Sequence, residues 1–182
     1  MAIHKSWKKF QPNVGENLGN YKSYYDRISQ YLDDVPKEVV HQWIFPHFNE
    51  TNSIKNYGWL DLDQIEFNLV TKPTSFFTEL NIIDDNEEMV NNYAIKDFAV
   101  WHRKYWRDNG TWEVPLIVID VKSFDEGEIP EESEFHGCYQ LVEGHNRLGT
   151  LKLLQRDGSI TIAESHNVWV ISKKIELGTS GH

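Results

Sequence analysis

Five consecutive residues carry the side chains best suited to chemistry in this sequence: Glu143, Gly144, His145, Asn146 and Arg147. The carboxylate and the imidazole can exchange protons with a bound molecule, and the carboxylate is also a possible ligand for a metal ion. The guanidinium fork of the arginine matches the oxygens of phosphate, while the amide and the imidazole add hydrogen-bond donors. This pattern predicts an anion site at residues 144–147, in which Glu143 and His145 are the catalytic candidates.

The stretch that contains them, residues 139–155, is predicted to form a strand, a glycine turn and a helix. Tyr139, Leu141 and Val142 have the alternation and β-propensity of a buried strand. An apolar helix face follows, in Leu148, Leu151 and Leu154. Gly144 therefore lies at a strand-to-helix turn, where the first N–H groups and the positive end of the helix dipole favour an anion such as phosphate.

Arg147 falls in the first turn of this predicted helix, where the dipole disfavours a cation unless an anion compensates it. A bound phosphate would provide that compensation. The alternative is that Arg147 pairs with Glu143 across the turn and that His145 is a solvated loop residue, because a short G-x-x-R pattern also occurs without a function. The residues alone leave both interpretations open.

Three segments resemble the superfamily of ParB amino-terminal domains and sulfiredoxins: EGHNRLGTLKLL at 143–154, VPLIVID at 114–120 and NVWVIS at 167–172. The resemblance extends over residues 59–172. In that superfamily a strand leads into a G-x-x-R helix start that binds nucleotide phosphates, and Gly144 and Arg147 occupy its glycine and arginine positions. The resemblance implies a small mixed sheet with flanking helices and a site for a nucleotide, ATP or ADP being favoured, with Mg²⁺.

His145 and Asn146 differ from both named branches of the superfamily. Partition proteins have an acidic and a basic residue at these two positions, and sulfiredoxins have cysteine and histidine. His145 occupies the place of the sulfiredoxin nucleophile, and the only cysteine, Cys138, lies six residues before Gly144. Sulfiredoxin chemistry is therefore not expected. The G-H-x-R form is similar to that of free-serine kinases and of many uncharacterised members.

The resemblance implies three alternative functions. The first is an ATP- or ADP-dependent phosphotransferase or NTPase, in which Glu143 or an upstream carboxylate is the base, His145 and Arg147 stabilise charge, and a small molecule is the acceptor. The second is a nucleotide-sensing or protein-interaction module without turnover, whose N-terminal helices and acidic loop contact a partner. The third is a DNA-binding protein or nuclease, which requires the basic segment 102–107 and the N-terminal lysines to form one face.

Length and composition predict one α+β domain with an extension. The chain has 182 residues, of which 40% are hydrophobic and 13% aromatic, enough for a sizeable core. The net charge of −10 argues against a general binder of nucleic acid. Because there is no apolar run of about eighteen residues and no signal-peptide pattern, we expect a cytoplasmic protein without a membrane span. The single cysteine also fits a reducing compartment.

The chain divides into three predicted parts. Residues 1–56 form an arm, packed through Trp7 and Phe10, and two helices at 21–34 and 36–48, of which Pro46 ends the second. Residues 57–174 form the superfamily-like domain and residues 175–182 a tail. His41 and His47 are predicted to be ordinary core or surface histidines, because no third metal ligand has a recognisable spacing.

Alternation at residues 57–67 predicts the first core strand, followed by a loop at 68–77. Its polar residues are more simply ordinary loop residues than phosphate ligands: Lys72, Thr74 and Ser75. Three carboxylates near the strand are candidates to assist Glu143 as a base or at Mg²⁺: Asp61, Asp63 and Glu66. A single helix is predicted at 84–108, capped by Asp84 or Asp85, with strands at 112–121 and 166–171 and an exposed, mobile acidic loop at 124–137.

Overall fold

A mixed four-stranded sheet with helices on both faces organises the molecule, and it confirms the predicted α+β class. The computed structural model describes residues 3–16, 21–94 and 100–175. The strands are β1 (Ile65–Pro73), β2 (Leu116–Asp120), β3 (Tyr139–Glu143) and β4 (Ser165–Lys173). The helices are α1 (Tyr21–Ile28), α2 (Lys37–Val39), α3 (Phe45–His47), α4 (Thr51–Tyr57), α5 (Asp84–Asn91), α6 (Val100–Asn109) and α7 (His145–Asp157).

The strand order β1-β4-β2-β3 places β4 and β2 in the middle of the sheet. β4 is antiparallel to β1 and parallel to β2, and β2 is antiparallel to β3. The side chains of β2 from Leu116 to Ile119 are all fully buried, because helices cover both faces of the sheet at this strand. The core therefore consists of two apolar clusters, one on each face.

The N-terminal residues cover one face of the sheet. Trp7, Phe10 and Trp43 are buried in one cluster with Ile117 and Ile119 of β2. The Trp7 indole donates a hydrogen bond to the carbonyl of Leu60 (2.8 Å), which fixes the arm against the start of the sheet. The predicted packing of the arm through Trp7 and Phe10 is thus confirmed, and the extension supplies more than half of the buried residues of this cluster.

The opposite face is covered by α6 and α7. Leu148, Leu151 and Leu154 of α7 pack with the other face of β2, as their spacing predicts. Trp106 of α6 and Trp112 complete this second cluster, with ring centroids 5.9 Å apart. Because α7 is anchored along its length by these leucines, its first turn is held rigidly at the end of β3.

The predicted strand at 57–67 is wrong over most of its length. Residues 51–57 form α4, a turn follows, and β1 runs from Ile65 to Pro73, through much of the predicted loop. Leu60 and Leu62 are fully buried from the turn, so a turn produced the alternation that suggested a strand. The real strand lies at the edge of the sheet and is half exposed, which weakens its pattern.

The predicted single helix at 84–108 is also wrong, since α5 ends at Asn91 and α6 begins at Val100. Asn92 has left the helical region, with φ −103° and ψ 16°. Arg156 of α7 donates hydrogen bonds to the carbonyls of Asn91 (2.5 Å) and Tyr93 (3.0 Å). These bonds occupy backbone acceptors that a continuous helix would use itself. Residues 95–99 of the predicted helix lie outside the described part of the chain.

Pro46 does not end its helix. The chain widens into a π-helical turn at Val40–Ile44 and continues through α3 to His47. A wider turn accommodates a proline, which cannot donate the usual backbone hydrogen bond. As a result His47 lies one residue beyond the proline on a helical turn.

The helix ends, the acidic loop and the tail complete the fold. Gly110 and Gly158 end α6 and α7 in the left-handed conformation, with φ 66° and 65°. The acidic loop at 124–137 is mostly exposed, but Asp125 and Glu128 pair with Lys173, which ties its first part to β4. Across the described ranges, no helix is long and apolar enough to span a membrane. The predicted tail falls almost entirely at residues 176–182, outside the described part.

Candidate acid–base site at the start of helix α7

The strand, glycine turn and helix predicted at 139–155 are present. β3 ends at Glu143, α7 begins at His145, and Gly144 between them has a φ of 107°, a conformation that favours glycine. A Cβ atom at this position would lie 2.3 Å from a methyl group of Leu116. Glycine is therefore favoured for two reasons, the positive φ of the backbone and the close approach of the Leu116 side chain from β2.

Arg147 is largely buried, with 13% of its side chain exposed, and its guanidinium is turned toward the chain that precedes β2. Nη1 donates to the carbonyls of Val114 (2.9 Å) and Pro115 (3.0 Å) and to the side-chain oxygen of Gln42 (2.8 Å). Nη2 lies 3.4 Å from a carboxylate oxygen of Glu143. The pairing of Glu143 and Arg147 across the turn, one of the two alternatives, is thus the arrangement observed.

His47, which we predicted to be an ordinary core or surface histidine, joins this site from the N-terminal extension. Its Nδ1 lies 2.6 Å from a carboxylate oxygen of Glu50, and its Nε2 lies 3.5 Å from Oε2 of Glu143. The hydrogen bond with Glu143, opposed by burial and aided by Glu50, raises the pKa of His47 to about 9. His47 is therefore an imidazolium at neutral pH.

His145 has the opposite electrostatic character. Burial lowers its pKa, and the charges of His47 and Arg147 act in the same direction against the attraction of Glu143. His145 is half-buried, not a solvated loop residue as the alternative interpretation had it. Its Nε2 is buried and has no hydrogen-bond partner within the described structure. A neutral imidazole has one unprotonated nitrogen, which makes His145 a candidate proton acceptor.

Glu143 lies between the two imidazoles. Burial works to raise its pKa, but the hydrogen bond from His47 and the charges of Arg147 and His47 outweigh burial and leave the pKa lowered. At neutral pH the site thus combines an ionised carboxylate, a protonated histidine and a neutral histidine. Such a set can donate and accept protons within one site.

These groups line a cavity of about 200 Å³. Glu143, His145 and His47 all line it. Asn52 and Ser53, from the first turn of α4, and Asn86, from the first turn of α5, add uncharged polar groups. Small-molecule sites usually enclose about 300–1,000 Å³, so this cavity suits the reacting end of a ligand more than a whole nucleotide.

The other residues predicted at the phosphate lie outside the cavity. Gly144, Asn146 and Arg147 are not among the residues that line it, and Asn146 is exposed. Lys72 lies above the rings of Phe76 and Tyr139, with its ammonium 5.3 and 5.6 Å from their centroids. The candidate phosphate ligands are therefore divided, with His145 alone at the cavity.

The upstream carboxylates do not join Glu143. Asp61 pairs with His4 (3.4 Å) and Asp63 with Lys9, both on the N-terminal arm, and Glu66 accepts a hydrogen bond from Ser172. Within the described ranges, no group of three or more histidine, cysteine, aspartate or glutamate side chains is arranged to hold a metal ion. A magnesium ion at this site would therefore have to bind mainly through a ligand's phosphates.

Comparisons with known proteins found no match for this chain. No protein-family model matches it, and searches of curated proteins and of solved structures returned no match either. The resemblance to ParB domains and sulfiredoxins stays a prediction.

Proposed function

We propose that this protein is a nucleotide-binding phosphotransferase or NTPase, with ATP or ADP as the favoured phosphate donor and Glu143, His145 and His47 as its reacting groups. The observation that carries the proposal is that a neutral and a protonated histidine flank one ionised carboxylate at a small polar cavity. A pair of titratable groups whose pKa values are pushed apart by their surroundings is typical of an acid–base site.

In the proposed reaction His145 accepts the proton of the attacking hydroxyl group. The oxygen of a small-molecule acceptor or of water attacks the terminal phosphorus, and its proton moves to the unprotonated ring nitrogen of His145. The bond between phosphorus and the bridging oxygen breaks, and its electron pair leaves with the remaining nucleotide. His47, as a cation, stabilises charge on the phosphate oxygens, and Glu143 stabilises the imidazolium that forms at His145.

Helix starts contribute to holding the phosphate. α7 begins at His145 and α5 begins at Asp84, two residues before Asn86. Because His145 and Asn86 line the cavity, the positive ends of two helix dipoles lie at its wall. The first internal hydrogen bond of α7 runs from the Leu148 N–H to the Gly144 carbonyl, which leaves earlier N–H groups without helical partners. These N–H groups are needed to bind phosphate, because the negative charges of Glu143 and Glu50 offset the positive charges of His47 and Arg147.

Mg²⁺ in this proposal is bound together with the nucleotide. Glu143 and Glu50 are the carboxylates at the cavity that could complete its coordination, with the phosphate oxygens as the other ligands. The ion would supply charge neutralisation at the phosphates. A function as a general DNA-binding protein is not proposed, because Lys9 and Lys104 are paired with Asp63 and Asp108 and the chain carries a net charge of −10.

The test measures binding and turnover separately on the natural protein and on Glu143→Gln, His145→Gln and His136→Ala. Binding is measured as thermal stabilisation by ATP, ADP, CTP and GTP with Mg²⁺, since a ligand bound only by the folded state raises the midpoint of unfolding. Turnover is followed by ³¹P NMR with a panel of hydroxyl-bearing acceptors and with water alone. His136 is exposed in the acidic loop and serves as the matched control.

We expect one nucleotide to stabilise the natural protein and the His136→Ala control equally. Turnover should fall about 100-fold or more in His145→Gln, the range expected for loss of a general base, with less effect on binding. Binding without turnover in the natural protein would favour the nucleotide-sensing alternative. If no nucleotide stabilises the protein and none is consumed, the proposal is wrong.

A further inference from the structure

The two edge strands of the sheet, β3 and β1, differ in whether the outer side of their backbone is paired. The outer edge of β3 is covered by Asn81, whose N–H donates to the Tyr139 carbonyl (3.0 Å) and whose carbonyl accepts from the Leu141 N–H (2.8 Å). At the other edge, β4 is the only strand that pairs with β1 within residues 3–16, 21–94 and 100–175. β1 therefore presents nine residues of strand with one side of its backbone unpaired by the sheet.

The register shows which backbone groups face outward. The Thr74 N–H donates to the Glu164 carbonyl (2.9 Å), and the Lys174 N–H donates to the Gln64 carbonyl (2.8 Å). Even-numbered residues on the β1 side of this antiparallel ladder thus direct their N–H and C=O groups toward β4. Odd-numbered residues direct theirs outward, because the directions alternate along a strand. The outward set is Ile65, Phe67, Leu69 and Thr71.

The centre of this edge is both regular and apolar. Pairing with β4 runs without a break from Ile65 to Pro73, so no bulge twists the strand away from a neighbour. Leu69, the central residue, is 49% exposed, one of few large apolar side chains on the described surface. The single proline, Pro73, is the last residue of the strand, where it removes a donor only at the end.

We infer that a second copy of this chain pairs with β1, antiparallel and in register about a two-fold axis at Leu69. With the axis at this residue, Phe67 faces Thr71 of the second copy, and their outward N–H and C=O groups form hydrogen-bonded pairs. The whole length of both strands overlaps, because Leu69 is the centre of Ile65–Pro73. The continuous sheet would then contain strands from both copies.

Charge selects the same register. With the axis at Leu69, Glu66 stands directly opposite Lys72 of the second copy, and the pair occurs twice. Both residues occupy positions of the kind that are not hydrogen-bonded across the new interface, where opposite side chains come closest. Moving the axis by one residue in either direction removes this match.

Both charged groups are available for the contact. Glu66 is half-buried and bound only to the Ser172 hydroxyl (3.1 Å) among the contacts described for its side chain. The ammonium of Lys72 lies over two aromatic rings and has no carboxylate partner within the described part of the chain. Pairing would give each group the opposite charge that it lacks in one copy.

The experiment is sedimentation analysis across protein concentration, with charge reversals at the two positions. The natural chain of 21.4 kDa should associate to twice that mass. Glu66→Lys and Lys72→Glu should each weaken self-association about tenfold or more, because each puts two like-charge pairs at the interface. An equal mixture of the two variants should associate again, since every lysine then faces a glutamate. Glu164→Lys, an exposed reversal just before β4, should have no effect.

Two proline variants separate association from folding. Leu69→Pro removes an outward N–H and should abolish association while the midpoint of thermal unfolding changes little, as edge strands tolerate proline. Asn68→Pro removes an N–H that faces β4 and should lower that midpoint clearly. A natural chain that stays monomeric at all concentrations, a mixture of charge variants that does not associate, or a Leu69→Pro chain that dimerises normally would each overturn the inference.

Discussion

Two histidines, His47 and His166, are held in opposite ways by this fold. His47 lies between the carboxylates of Glu50 and Glu143 beside a cavity, and its pKa is raised to about 9. His166 is 2% exposed and lies against Trp112, with ring centroids 4.6 Å apart, and burial lowers its pKa to about 4. The same side chain is a cation in one place and neutral in the other, because only one place provides carboxylates.

Both ring nitrogens of His166 are engaged in hydrogen bonds, so neither is available to a ligand. Thr74 donates its hydroxyl hydrogen to the Ala163 carbonyl (2.7 Å), so its contact with Nε2 of His166 (3.0 Å) requires the ring to donate. Nδ1 then accepts from the Thr111 hydroxyl (2.7 Å). Both ring nitrogens are satisfied in this neutral tautomer, whereas Nε2 of His145 has no described partner. His166 joins three chain segments, and the reactive histidines are those beside Glu143.

The largest effect is expected from Arg147→Ala, which removes the cation that supports the charged site. The carbonyls of Val114 and Pro115 and the carboxylate of Glu143 would lose a buried partner. We expect the free energy of unfolding to fall by about 3 to 5 kcal/mol, the range found when one member of a buried pair is removed. Urea denaturation at neutral pH measures it.

Arg107→Ala is the matched control for that change, because Arg107 is an exposed arginine of α6. Its removal should cost about 1 kcal/mol or less. An Arg147→Ala protein as stable as the control would show that this guanidinium serves a ligand and not the fold.

The second largest effect is a loss of folding stability at acidic pH, which tests whether His166 is held neutral. The pKa of His166 is lowered on folding, from about 6.5 to about 4, so the unfolded chain binds the proton more readily. Stability from this group is full above about pH 6.5 and is lost as the pH falls toward 4. Between pH 7 and pH 4.5 the loss amounts to about 2 to 3 kcal/mol. Urea denaturation of the natural protein and of His166→Gln at both pH values measures it.

His166→Gln should have a lower free energy of unfolding than the natural protein at pH 7, and this difference should become smaller at pH 4.5. A gap that is equal at the two pH values would mean that His166 does not resist protonation, and the contrast with His47 would disappear.

The smallest effect is a loss of folding stability at basic pH, which tests whether His47 is held as a cation. The pKa of His47 is raised on folding, so its contribution is full below about pH 6.5 and is lost as the pH rises through about 9. Because 30% of the side chain is exposed, we expect only about 1 kcal/mol after allowance for solvent screening. Glu143→Gln should flatten this part of the stability curve between pH 7 and 9.5. A slope that the substitution leaves unchanged would assign the pKa shift to another neighbour.

The parts of the site that sequence predicts are local in the chain. The strand, Gly144 and the helix follow from alternation and leucine spacing within a short stretch, and all are present. His47 could not be found in this way, because nothing in its spacing points to a carboxylate in a distant strand. The role of Arg147 was equally hidden, since its acceptors are backbone carbonyls at Val114 and Pro115, which sequence patterns do not mark.

Errors in the fold have a related cause. Leu60 and Leu62 alternate with polar residues in a turn, and only the packing of the N-terminal arm against the sheet explains their burial. The break after α5 depends on Arg156, which lies far along the chain in α7. In both places a tertiary contact decides a local structure that the sequence alone predicts differently.

The protonation states of the histidines test the central claim most directly. Long-range ¹H–¹⁵N NMR spectra at neutral pH distinguish a charged imidazole from each neutral tautomer. We expect that His47 carries protons on both nitrogens, that His145 is neutral, and that His166 is neutral with its proton on Nε2. A neutral His47 or a charged His145 would contradict the proposed acid–base pair around Glu143.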